Sequence, residues 1–193
     1  MDSKNILNIF YPFIDSLNQG SFIRKLMTNL FRLIGILSLV GGLYFFFKTI
    51  SNAPDFWFVL LLILFLAFTF VAFQIWFYRA DAISKLKDSD FNVIPIFANV
   101  FRGIGETYAA FLITIGIGGT INLWFSSYSY SLMSFLSFVP FISADSSFLG
   151  GILFLLMTIV MGLSILLFTY FLAENVLVLV EIARNTRSLR KED

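Results

Sequence analysis

Few residue types in this chain could do chemistry, and their positions decide how much chemistry is left. The 193 residues include no histidine and no cysteine. That removes Ser–His and Cys–His nucleophiles, the usual zinc sites, most haem ligation, iron–sulfur clusters and structural disulfides. What remains is a small set of charged side chains at the edges of long apolar runs, above all Arg102, Glu106 and Glu174. Charge close to a hydrocarbon core is costly, so each of these needs a partner or water. Glu106 has Arg102 four residues before it, the weaker orientation of such a pair on a helix. Glu174 has Tyr170, Phe171, Leu177 and Val178 at its helical neighbour positions, and no basic residue. The pattern predicts a cluster of Arg102, Glu106 and Glu174 that ties the third and fourth apolar runs together; a hydrated Glu174 is the alternative. No ionisable residue falls in the middle of a run, which argues against a proton-coupled pump or an intramembrane aspartyl protease. Neither cofactor nor metal is expected, and the chain is read as non-catalytic.

A second pattern runs along the third apolar stretch. After Arg102 and Glu106 come Ala110, Thr114, Gly118 and Asn122, at every fourth position. Gly105 with Ala109, and Gly116 with Thr120, add further small pairs at the same spacing. In lipid, small residues four apart let helix backbones approach closely and bond across the contact. The stripe reads as a helix-packing seam, with Ser38/Gly42 and Thr158/Gly162 as expected partners. The competing reading is a polar lining for a solute or ion path.

The elements that must position these residues are helices in a bilayer. Hydrophobic residues make up 59% of the chain and charged residues 13%, where a soluble domain carries about 25% charged. A net charge of +1 gives no case for nucleic acid; the lipid bilayer is the expected surrounding. Four apolar runs, about 33–50, 56–78, 103–125 and 148–172, are each long enough to cross a core of roughly 30 Å. They are continuously apolar rather than alternating, which excludes a transmembrane β-barrel. The expectation is an all-α polytopic membrane protein: one membrane domain over 1–193, four transmembrane helices as two hairpins, with interfacial helices between them. Residues 1–32 do not read as a span. Ile6, Phe10, Phe13 or Ile14 and Leu17 suit an interfacial helix broken near Pro12, or a loose terminus, with no cleaved signal peptide. After Gly20 and Ser21 come Arg24, Lys25 and Arg32 as a basic approach to the bilayer. Residues 79–102 read as a charged link followed, after Pro95, by a surface-hugging segment. The serine-rich 126–147 reads as an interfacial helix or a re-entrant loop. Counting inward from Trp124, Glu106 lies about 27 Å away along a helix, close to the far boundary.

Every basic residue except Lys48 falls before the first run, between the second and third, or after the fourth. By the positive-inside rule those segments, and both termini, are cytoplasmic. Residues 173–193 then form a cytoplasmic helical tail. Leu172, Val176, Leu179 and Ala183 line one face of it and Glu174, Glu181 and Arg184 the other. The end of the fourth run, Glu174 followed by Ile182-Ala183-Arg184-Asn185-Thr186-Arg187, resembles the close of small bacterial multi-pass inner-membrane proteins of unknown function. The resemblance implies a bacterial inner membrane and brings no activity with it. The leading functional expectation is a non-catalytic membrane-complex subunit, scaffold or regulator. It would act through span and tail contacts with a protein partner or another copy. An oligomeric channel or small-solute transporter using the third-span stripe is the alternative.

Overall fold

The computed structural model describes residues 21–51, 53, 55–86, 93–125 and 148–189, without the side chains of residues 21, 184 and 187–189. They form four helices: α1 (Ser21–Ile50), α2 (Phe56–Ser84), α3 (Val93–Phe125) and α4 (Phe148–Leu189), with no strand among the described residues. Each is long and apolar enough to cross a membrane. The chain is a multi-pass membrane protein with four candidate spans. Large apolar side chains such as Leu37, Phe47 and Leu167 lie 59%, 68% and 71% exposed, a surface that lipid solvates and water does not.

Local chemistry explains where the helices begin. Asp55 stands in extended backbone before α2, and its carboxylate accepts a hydrogen bond from the Phe58 amide at 2.7 Å. Such a cap contributes about 1 kcal/mol. At the other end of α2, Arg24 of α1 donates to the carbonyl of Leu86 at 2.6 Å, a cation on a helix C-terminus.

Two sequence expectations are corrected here. The first helix starts earlier than the expected span at about residue 33: residues 21–32, read as a basic approach to the bilayer, are the first three turns of α1, with Thr28 and Phe31 buried. Residues 93–102 do not hug a surface. They open α3, with Pro95 in its first turn, where proline's missing N–H and fixed φ do no harm. Ile96 and Ala98 are then buried. The expectations for residues 1–20 and 126–147 fall outside the described residues.

The helices pack in a row, each antiparallel to the next. Most interhelical contact lies between α3 and α4 and between α1 and α2; α2 and α3 touch less, and α1 and α4 not at all. The α3–α4 seam is made of glycine against a larger side chain. Gly105 faces Thr169, Gly116 faces Thr158, Gly119 faces Phe154, and Gly151 faces the Trp124 ring; a Cβ on any of these glycines would overlap its neighbour. The hydroxyl of Thr120 crosses the seam to the Gly151 carbonyl at 3.0 Å, and the Trp124 indole N–H to the Phe148 carbonyl at 3.2 Å. On the other side of the row, Gly42 of α1 faces Thr69 of α2. Beyond the third turn of α1, Phe31, Ala80, Ile83 and Ile96 close a small core from three helices, with Phe31 edge-on to Trp76.

Candidate functional site

Where α2, α3 and α4 pass one another, three polar side chains saturate each other. Arg79 donates from Nε to Glu106 Oε2 at 2.9 Å and from Nη2 to Glu106 Oε1. Its Nη2 also donates to the Tyr170 hydroxyl at 2.8 Å, and that hydroxyl donates to Glu106 Oε1 at 2.5 Å. The Arg79 side chain is 7% exposed and that of Glu106 20%. A forked guanidinium–carboxylate pair closed by a phenol is the geometry in which charge-assisted bonds are strongest. With so little water nearby, stripping one member would leave its partner uncompensated at a cost of several kcal/mol.

Local sequence makes this clasp possible. α2 and α4 are not backbone neighbours, so Arg79 must reach past α3 to touch Tyr170. Gly103 leaves the room: a Cβ there would stand 3.3 Å from the Trp76 ring and 3.4 Å from Arg79 Cγ. Further out on the same face, Arg32 lies 3.7 Å from Asp81 in an exposed pair, which contributes little by comparison.

The expected charge cluster is therefore arranged differently. Glu106 is its centre, but it is engaged by Arg79 and Tyr170 rather than by Arg102 and Glu174. Arg102 is half-buried, its guanidinium 5.3 Å from the centroid of the Tyr170 ring, and its Nε is buried with no hydrogen-bond partner. Glu174 is exposed and makes no ion pair among the described residues. Glu106 is held by two donors of Arg79 and by the Tyr170 hydroxyl, and Arg102 makes no ion pair with it among the described residues.

The third-span stripe is divided between two neighbours. Its smaller pairs, Gly105/Ala109 and Gly116/Thr120, are the ones buried against α4. Opposite them, Thr158 meets Gly116 and Gly162 meets Ala109. Gly118 instead meets Leu61 and Leu64 of α2. Thr114 and Gly118 line an apolar groove of about 230 Å³ with Leu61, Phe65, Phe68 and Phe111. The Thr114 hydroxyl is turned back to the Ala110 carbonyl at 2.8 Å. Ala110 is half-buried, and Asn122 is 5% exposed with its Oδ1 unpartnered. Gly42 belongs to the α1–α2 seam, not to α3, where it faces Thr69, and the Ser38 hydroxyl bonds its own helix at Gly35.

No protein-family model, no curated protein and no solved structure matches this chain. Its chemistry has to be read from the geometry.

That geometry holds helices together. In the clasp Arg79 Nε and Nη2, both oxygens of Glu106 and the Tyr170 hydroxyl bond one another. Among the described residues no group of three or more acidic side chains could hold a metal ion. Sequence reasoning missed Arg79 and Tyr170. Arg79 entered only as one of the basic residues that orient the chain, and Tyr170 only as an uncharged neighbour of Glu174. A signal did exist. Arg79 directly follows the uncharged stretch of α2, and Glu106 stands just inside the start of the third run. On adjacent antiparallel helices those two positions share a depth.

Proposed function

We propose that this chain is a non-catalytic subunit or scaffold of a membrane complex, working through helix contacts rather than by moving a solute. The observation that carries this reading is on α4 beyond the clasp. Val178, Leu179 and Ile182 are 52%, 66% and 56% exposed, and Val178 lies about 12 Å past Tyr170 along the helix. Large apolar side chains at that distance from the clasp form a contact surface. The charge distribution supports placing this end, with both termini, on the cytoplasmic side. The Ile-Ala-Arg-Asn-Thr-Arg ending favours a bacterial inner membrane. What weighs against a conduit is that Arg79, Glu106 and Tyr170 bond one another, that the Thr114 hydroxyl bonds its own backbone, and that the groove containing Thr114 and Gly118 is apolar.

The test has two arms. Protein reconstituted into liposomes should pass no more ion or solute than empty vesicles. A photo-crosslinking residue at Leu179 or Ile182 should give one discrete adduct in native membranes, with a partner subunit or a second copy. A conductance that disappears on Glu106→Gln, without loss of folded protein, overturns the proposal.

A further inference from the structure

We propose that the surface beside the clasp binds a phospholipid whose headgroup carries both a phosphate and a primary amine, the phosphate on Arg102 and the ammonium on Glu174. The inference does not depend on the complex-subunit reading.

It starts from unbalanced charge. Two guanidinium groups, Arg79 and Arg102, meet one carboxylate. Glu106 already engages Arg79 through both oxygens, Oε2 with Nε and Oε1 with Nη2, and Oε1 also accepts from the Tyr170 hydroxyl. Arg102 is left with the Tyr170 ring face and a buried Nε that donates to nothing. Arg102 is only half-buried, so an anion from outside the chain can pair with the part of its guanidinium that remains exposed. A phosphodiester suits a guanidinium because its paired oxygens match the planar fork of donors.

The second half of the site is Glu174. It stands one helical turn after Tyr170 and has no cationic partner among the described residues. With Leu166, Leu167, Tyr170 and Phe171 it lines a surface cavity of about 500 Å³. Tyr170 thus borders both the unpaired cation and the unpaired anion. A headgroup with a positive and a negative end, a few bonds apart, complements the two together. A purely anionic headgroup would meet Glu174 as a like charge.

Order along the helix selects a lipid over a free ion. From Glu174 the cavity runs along α4 toward Leu166, about 12 Å deeper, and every lining residue between them is apolar or aromatic. A phospholipid presents the same sequence, charge first and hydrocarbon after. The depth agrees as well, since the clasp adjoins Tyr78, the last residue of the uncharged stretch of α2, and headgroups occupy that boundary.

The experiment is native mass spectrometry of the full chain in detergent. It is titrated in separate arms with dioctanoyl phosphatidylethanolamine, dioctanoyl phosphatidylglycerol and inorganic phosphate. We expect saturable binding of the amine-bearing lipid, about tenfold tighter than the glycerol lipid, as loss of one charge-assisted contact implies. Inorganic phosphate should not displace it. Arg102→Gln should weaken lipid binding about tenfold, and Arg102→Lys, which keeps the charge but loses the fork, by less. Glu174→Gln should abolish the preference between the two lipids. Both Arg102 variants are checked for unchanged thermal unfolding. The proposal is overturned if folded Arg102→Lys and Arg102→Gln bind as the parent does. It is overturned equally if the preference survives Glu174→Gln, or if inorganic phosphate competes as well as lipid.

Discussion

The two sides of α3 are built on opposite plans. Toward α4, glycines meet Thr158, Thr169 and Phe154 so closely that no side chain would fit between. Toward α2, a stacked Trp57–Phe125 pair, 4.2 Å between centroids, marks one end and Gly103, Trp76 and the Arg79–Glu106 pair the other, with looser apolar contacts such as Phe68–Phe111, 5.4 Å between centroids, along the way. Between those ends lies the apolar groove floored by Gly118 and Gly119. The α4 side is built from glycine and threonine and is sealed; the α2 side is lined by leucine and phenylalanine and stays open. In lipid, apolarity does not draw helices together, because hydrocarbon surrounds them in any case. What closes a seam is shape, and what holds an open one is a few polar bonds.

The strongest way to break this contrast is a side chain placed in the sealed seam. Gly105→Leu would drive atoms into Thr169, and we expect destabilisation at or above the upper end of the ~1–3 kcal/mol typical of overpacking, with much of the protein failing to fold. Gly41, where an added Cβ meets nothing within 4 Å, should accept Leu with little change. Thermal aggregation in detergent compares the two variants directly, and equal behaviour would refute the sealed-seam account.

Removing the polar bonds comes next. Arg79→Ala should cost about 3 kcal/mol, the lower end for breaking a buried pair, because Glu106 keeps the Tyr170 hydroxyl. Tyr170→Phe removes one bond to a carboxylate and should cost about 1.5 kcal/mol. If the three act as a unit, Arg79→Ala/Glu106→Ala will cost less than the sum of its single changes in a double-mutant cycle. Strict additivity would show that they do not.

The smallest effect belongs to the groove. A Cβ at Gly118 would stand 3.2 and 3.3 Å from the δ-carbons of Leu61 and Leu64, flexible ends that can move. Gly118→Ala should shift stability by no more than about 0.5 kcal/mol. A loss comparable to that of Gly105→Leu would mean the α2 side is as closed as the α4 side.

Much of the third helix was legible beforehand. Small residues at four-residue spacing announced a packing face, and Gly105, Ala109, Gly116 and Thr120 do bury against α4. Which small residues met which neighbour was not legible. Ala110, Thr114 and Gly118 repeat at the same spacing only one or two positions around the helix, and spacing alone carries no direction. The charge cluster shows the same boundary. Glu106 stood out because a carboxylate at a span edge must be answered. Arg102 was the nearest basic residue in the sequence; Arg79, 27 residues away, was the one in reach.

By itself, then, the sequence determined that this chain crosses a membrane several times as helices. Length and apolarity set that, because backbone polar groups in hydrocarbon must bond within their own segment. It also determined that charge would gather at the edges of the spans. The tertiary structure alone decided that the helices lie in a row, that α3 seals against α4 and stays open against α2, and that Arg79 rather than Arg102 answers Glu106. The reason is physical. Partition into lipid depends on each segment separately, whereas pairing depends on rotation and depth between segments.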